Sequence, residues 1–139
     1  MTTFENEFIY PVRVHIEDTD FTGVVYHPNY LNYMERARSE WAHLAGIGIE
    51  WQRQHGIMLL VHSAEIIFKS PARLHDQMEV VTRISSLNRA SLTYEQCLRR
   101  AGAADKILCQ ARIKVACVNG RMKPCALPDA PFLDKIRRE

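Results

Sequence analysis

One change of hydrophobic period limits what this chain can fold into. From Tyr30 to Leu44 the apolar residues Tyr30, Tyr33, Met34, Ala37, Trp41 and Leu44 recur at helical spacing, and Asn32, Glu35, Arg36, Ser39, Glu40 and His43 take the remaining face. No second block of comparable length follows. A lone amphipathic helix must bury its stripe against something else, and the rest of the chain offers strands. Phe8 to Glu17 is β-rich, with Val12, Val14 and Ile16 on one face, and Ile57 to Lys69 alternates with Met58, Leu60, His62, Ala64, Ile66 and Phe68 on one side. Three further extended segments are parted by turn chemistry at Leu87 to Ala90 and Ala101 to Asp105. In the last of them Ile107, Cys109, Ala111, Ile113 and Val115 oppose Gln110, Arg112 and Lys114.

The expected order is therefore strand, helix, then four strands, an α+β domain with one long helix on an antiparallel sheet. Pro28 suits the first turn of the helix, Gly46 and Gly48 its end, and a short helix over Glu50 to Gln54 fits before Gly56. The tail after Pro128 is expected to form one terminal helix. With 139 residues and 47% hydrophobic content, the whole chain, 1–139, reads as one domain able to fold without staples. Exposed edge strands in so small a sheet predict an oligomer, a homodimer or homotetramer.

Composition removes several functions. Lys and Arg number 18 against 16 acids, a net charge of only +2, which argues against a broad nucleic-acid-binding field. No apolar run approaches the length of a membrane span, and no signal sequence is evident, so a cytoplasmic location is expected. Cys97, Cys109, Cys117 and Cys125 form no CxxC pair and read as small buried hydrophobes. The six histidines lack metal-ligand spacing, and no metal site is expected.

The stretch EDTDFTGVVYHPNY, Glu17 to Tyr30, remains. Asp18 and Asp20 can point the same way if the strand continues, whereas a turn would separate them. Gly23 lets backbone approach a ligand or adopt positive φ. Unpaired N–H groups around Tyr26 to Asn29, at the helix start, would attract developing negative charge. A carboxylate beside them could attack a carbonyl, or activate water to do so, while those groups hold its oxygen. A solvated, capping turn uses the same residue types.

VRVHIEDTDFTGVVYHPNYLNYMERAR, together with SPARLHD (Ser70 to Asp76) and RMKPCALP (Arg121 to Pro128), is similar to the 4-hydroxybenzoyl-CoA thioesterase family of hotdog-fold proteins, and especially to its Tol-Pal-associated acyl-CoA thioesterases. The resemblance covers nearly the whole chain. It implies a curved antiparallel sheet wrapped around one helix, with active sites at a dimer interface. It also implies Asp20 as the catalytic carboxylate, Asp18 as its structural neighbour, and the backbone N–H at His27 against the thioester oxygen. Gly23, Val25 and Tyr26 then line the substrate, and Arg73 with Asn88, Arg89 and Ser91 would meet the CoA nucleotide. Phe21-Thr22 departs from the small or proline-containing pairs common before the glycine. Glu35 invites comparison with relatives whose carboxylate lies on the helix, although its neighbours Arg36 and Arg38 suggest an ion pair.

The reaction so implied is hydrolysis of acyl-CoA to free acid and CoA, with no cofactor and with acyl carrier protein as a further partner. The competing reading is a hotdog protein that binds acyl-CoA or acyl carrier protein, or scaffolds an envelope complex, without catalysis. A dehydratase of the same fold would need a His and acid pair acting beyond the carbonyl.

Overall fold

A computed structural model describes residues 2–4 and 7–130, with side chains from Glu7 onward. The elements are β1 (Thr2–Phe4), β2 (Glu7–Arg13), α1 (Pro28–Leu44), α2 (Ile49–Gln54), β3 (Ile57–Phe68), β4 (Gln77–Leu87), β5 (Ser91–Arg100) and β6 (Ile107–Asn119). They form one antiparallel sheet in the order β1-β2-β4-β5-β6-β3, so the strands flanking the helices in sequence lie on opposite sides of the sheet. The expected terminal helix falls largely on residues 131–139, outside the described residues, and 128–130 are not helical.

The helix lies against the sheet because its stripe is continuous. Tyr33, Met34 and Ala37 are fully buried, and Trp41 stacks on Phe8 of β2 with ring centroids 5.8 Å apart. Ala37 leaves room for the helix axis to approach the strands. From below, Val80 and Ile84, Leu92 and Leu98, and Cys109, Ile113 and Cys117 complete the core. Burying such side chains contributes roughly 1.5–3 kcal/mol each. The helix opens at Pro28, whose missing N–H costs nothing there. It closes at Gly46, φ +83°, where Gly46 N–H bonds His43 C=O and Ile47 N–H bonds Ala42 C=O, a Schellman ending.

Two expectations about the strands need correction. β2 ends at Arg13, and Ile16–Asp18 form a 3₁₀ turn, so Ile16 is 72% exposed instead of sharing the buried face of Val12 and Val14. In β3 the register against β6 shifts between Val61 and Ser63, a bulge at His62 that reverses the alternation. Ile57 and Leu59 consequently pack on the core, not Met58 and Leu60, while Ile66 keeps its expected inward side.

Candidate active site

The segment after β2 does not stay extended because Asp18 turns it. The Asp18 Oδ2 accepts the His15 N–H at 2.9 Å, and the Asp18 N–H bonds His15 C=O at 3.0 Å. Asp18 itself is buried, and its carbonyl accepts both the Tyr26 N–H (2.9 Å) and Asn29 Nδ2 (2.8 Å). One residue thus ties the end of β2 to the first turn of α1. The Tyr33 hydroxyl is buried beside this carboxylate without a hydrogen bond of good geometry among the described residues. Burial, then the facing Asp18 charge, push its phenol well above the ordinary range.

Beyond the turn, Thr19 to Val25 folds back on itself. Asp20 N–H bonds Val24 C=O at 2.9 Å, Gly23 N–H bonds Asp20 C=O at 3.1 Å, and Gly23 takes φ +83°, which L side chains seldom adopt. The turn separates the two aspartates: Asp18 is inside and Asp20 is half-exposed. Asp20 Oδ1 accepts the Thr22 hydroxyl and, at 2.8 Å, the Thr22 N–H. These two bonds, the hydroxyl first, hold its carboxyl below the usual value. Phe21, at the tip, is fully exposed.

The Ser70 to Asp76 segment packs alongside this loop. Val25 N–H bonds Ala72 C=O (2.9 Å), Leu74 N–H bonds Gly23 C=O (3.1 Å), and Val24 pairs with Arg73 as an isolated bridge. The Asp76 carboxylate fixes the segment by accepting Arg73 N–H at 2.8 Å and pairing with Arg100 at 2.9 Å. Tyr30 Oη accepts Ala72 N–H at 3.0 Å, tying the same segment to α1.

At the helix start the N–H groups are not all open. Tyr26 N–H is taken by Asp18 C=O and Asn29 N–H by Tyr26 C=O, while the His27 N–H has no acceptor among the described residues. The His27 ring meets Tyr26 edge-on at 5.0 Å and Phe68 of β3 at 6.3 Å, and Phe68 also meets Tyr30 at 5.4 Å. Phe68 is half-exposed in this aromatic wall, a role its place in β3 did not reveal from sequence. Val25 is buried, its side chain in the core and its N–H used, while Tyr26 is exposed.

Asp20, Gly23, Tyr26, His27 and Arg73 therefore gather at one end of the sheet. Asn88, Arg89 and Ser91 do not: they form the β4–β5 turn, where Asn88 N–H bonds Ser91 C=O at 2.8 Å. β4 is 11 residues long and begins at the Asp20 end, so this turn lies about 35 Å along the strand from it. Glu35 is half a helix away, paired with Arg38 and bonded by the Ser39 hydroxyl at 3.1 Å. Among the described residues no three His, Cys, Asp or Glu side chains come together as a metal-holding group, and no helix is long and apolar enough to cross a membrane.

Residues 14–136 match the family model described as the thioesterase-like superfamily. The chain belongs to that family. It is 39% identical over 128 residues to the acyl-CoA thioesterase YbgC of Haemophilus influenzae, covering 89% of this chain and 90% of that protein. A probable thioesterase from Bartonella henselae superposes with a TM-score of 0.80 at 33% identity, over 88% of this chain and 99% of that one. Slr0204 from Synechocystis, a 1,4-dihydroxy-2-naphthoyl-CoA thioesterase, gives 0.84 at 24% identity over 94% and 96%, a likeness of fold. The arrangement is the hotdog fold, a helix embraced by an antiparallel sheet. In this thioesterase-like chain the long hydrogen-bonded loop between β2 and α1 is the part of that fold that carries both Asp20, one of whose carboxylate oxygens accepts no hydrogen bond among the described residues, and the His27 N–H, which has no acceptor among them.

Proposed function

We propose that this protein hydrolyses acyl-CoA thioesters to free acid and CoA, with Asp20 as nucleophile or general base and the His27 N–H as the donor to the thioester oxygen. The observation that carries the reading is that one loop holds both a half-exposed Asp20 carboxylate with an unbonded oxygen and a His27 N–H that has no acceptor among the described residues, and that the Tyr26 N–H to Asp18 C=O and Asp20 N–H to Val24 C=O bonds fix that loop. Family membership and the 39% identity to an acyl-CoA thioesterase support the substrate class. A thioester suits so small an apparatus, because a thiolate with a parent pKa near 8.5 leaves without strong acid assistance. An anionic carboxylate and one fixed dipole near the developing oxyanion then lower the barrier together.

The reading includes a second copy of the chain. Among the described residues β3 is an edge strand paired only with β6, and Val61, Ile67 and Phe68 on it are about half-exposed. Pairing of such edges across a two-fold would remove the exposed edge and surround the site with residues of both copies. That assembly would give the distant Asn88 to Ser91 turn a site to serve, with Arg89 and Arg73 against CoA phosphates. SPARLHD and RMKPCALP favour the Tol-Pal-associated branch, a cytoplasmic enzyme for which acyl carrier protein is a further carrier.

A thiol-release assay over acyl-CoAs of graded chain length tests the activity. Release by wild type and its loss in Asp20→Asn are expected. Wild type that binds acyl-CoA but releases no thiol would make this a binding protein.

A further inference from the structure

An exposed carboxylate ordinarily rotates freely, and its two oxygens are equivalent. Those of Asp20 are not. Oδ1 accepts two donors from one residue, the Thr22 N–H at 2.8 Å and the Thr22 Oγ1 at 2.5 Å, while Oδ2 makes no hydrogen bond among the described residues. The loop cannot easily release this clamp. Asp20 N–H to Val24 C=O and Gly23 N–H to Asp20 C=O close the backbone around it, and Leu74 N–H fixes Gly23 from outside. The intervening Phe21 side chain points wholly to solvent, so Thr22 is the side chain that the turn directs back to the carboxylate.

Resting on the reading of Asp20 as the reacting carboxylate, the geometry points to Thr22 as a positioning residue that selects Oδ2 as the reacting oxygen and fixes its direction. On the general-base route Oδ2 takes a proton from water, and the resulting hydroxide adds to the thioester carbon. The C–S bond then breaks with its electron pair leaving on sulfur, and the proton held on Oδ2 passes to the thiolate or to solvent, which restores the carboxylate. On the nucleophilic route an Oδ2 lone pair forms the C–O bond, sulfur leaves as thiolate, and water later splits the anhydride to return the carboxylate and release the acid. Either route needs one oxygen aimed and unencumbered.

Two effects of the clamp oppose each other. Hydrogen bonds to a carboxylate reduce its basicity, which by Brønsted behaviour slows proton transfer roughly a few-fold. Holding the attacking atom in line works the other way, since a misplacement of about 1 Å can cost on the order of 10²-fold. Orientation has the larger magnitude, so the clamp accelerates the reaction. It is also a property of this chain's Phe21-Thr22 pair, because the hydroxyl is the donor that an alanine, glycine or proline there would lack.

The test compares Thr22→Val, Thr22→Ser and Asp20→Asn with wild type in steady-state acyl-CoA hydrolysis, with thermal unfolding of each. Val keeps shape and the backbone donor but removes the hydroxyl. The expected result is kcat down about tenfold in Thr22→Val with KM within about twofold, recovery to within about twofold of wild type in Thr22→Ser, and unfolding temperatures that do not separate the two. Thr22→Val with kcat at or above wild type, or Thr22→Ser as slow as Thr22→Val, overturns the clamp. Asp20→Asn separates the levels of the argument: its inactivity alongside a normal Thr22→Val sinks only the role of Thr22, whereas full activity in Asp20→Asn sinks the reading of the site.

Discussion

The first turn of α1 and its middle treat polar groups in opposite ways. In the middle, buried Arg38 donates to Gln96 Oε1 at 2.8 Å and pairs with Glu35, and its guanidinium lies 5.9 Å from the Tyr94 ring centre. Gln96 in turn donates to Met34 C=O (3.0 Å) and to the Thr82 hydroxyl (2.8 Å), so sheet and helix are joined through a connected network. At its start and in the loop that leads to it, the His27 N–H and Asp20 Oδ2 have no protein partners among the described residues. Buried polar groups that find partners hold a fold in one arrangement, whereas groups left open at a half-exposed site remain available to a ligand. The same helix is thus fixed at its centre and chemically unfinished at its start.

The sharpest way to break this contrast is Asp20→Asn. It should lower kcat by roughly 10³-fold, within the range for losing a positioned base, while the unfolding temperature stays at the wild-type value because Asp20 is not part of the core. Gln96→Leu should do the reverse. It strands an Arg38 donor and the Thr82 hydroxyl and removes the second bond to the Met34 carbonyl, and a loss of about 2–3 kcal/mol in chemical denaturation is expected, with kcat of the folded fraction nearly unchanged. If Gln96→Leu instead abolished activity in folded protein, the division between a structural middle and a chemical start would be wrong.

How much of this could be read from sequence depends on whether the signal was periodic. Helix α1 was legible from end to end, since its stripe, Pro28 and Gly46 each express a backbone requirement directly. The limit of β2 was not, because VRVHIE alternates as a strand should while the bond from His15 N–H to the Asp18 carboxylate turns the chain anyway. For the same reason the spacing of Asp18 and Asp20 left their relation open until the turn put one inside and one out. The bulge at His62 is likewise invisible to alternation, which is how Met58 and Leu60 exchanged faces with Ile57 and Leu59. Tyr26 and Asn29 were expected among the open donors. The Asp18 carbonyl, brought up by the 3₁₀ turn after β2, takes the Tyr26 N–H, and the Tyr26 carbonyl, three residues back, takes the Asn29 N–H.

Gly23 links the two regimes, since it is a backbone feature on which the open site depends. An added Cβ would meet nothing within 4 Å, so the cost of Gly23→Ala comes from its φ of +83° and not from crowding. That strain is worth about 1–2 kcal/mol. The loop can shed it by rotating away from Leu74 N–H and Asp20 C=O. Gly23→Ala should therefore lower kcat well beyond its small effect on unfolding. A variant as active as wild type would mean that the Asp20 loop tolerates displacement, and that its orientation is less critical than the hydrogen bonds suggest.

The smallest effect is expected farthest from the carboxylate, at Arg89. Its carbonyl is occupied by Leu127 N–H at 2.8 Å, so the backbone of the turn is held whatever side chain it carries, and the substitution isolates the guanidinium. Arg89→Ala should raise KM for acyl-CoA about fivefold, the scale of one exposed charged contact, and leave kcat unchanged. The turn lies about 35 Å along β4 from its own Asp20, so a KM effect could reach the site only from a neighbouring copy. Mixing Arg89→Ala with Asp20→Asn protomers sharpens the point. In a mixed dimer, one of the two sites would combine an intact Asp20 with an intact Arg89 from the other chain, and wild-type KM should return for that fraction. If KM does not move in Arg89→Ala, the turn has no part in nucleotide binding, and the site is complete without it.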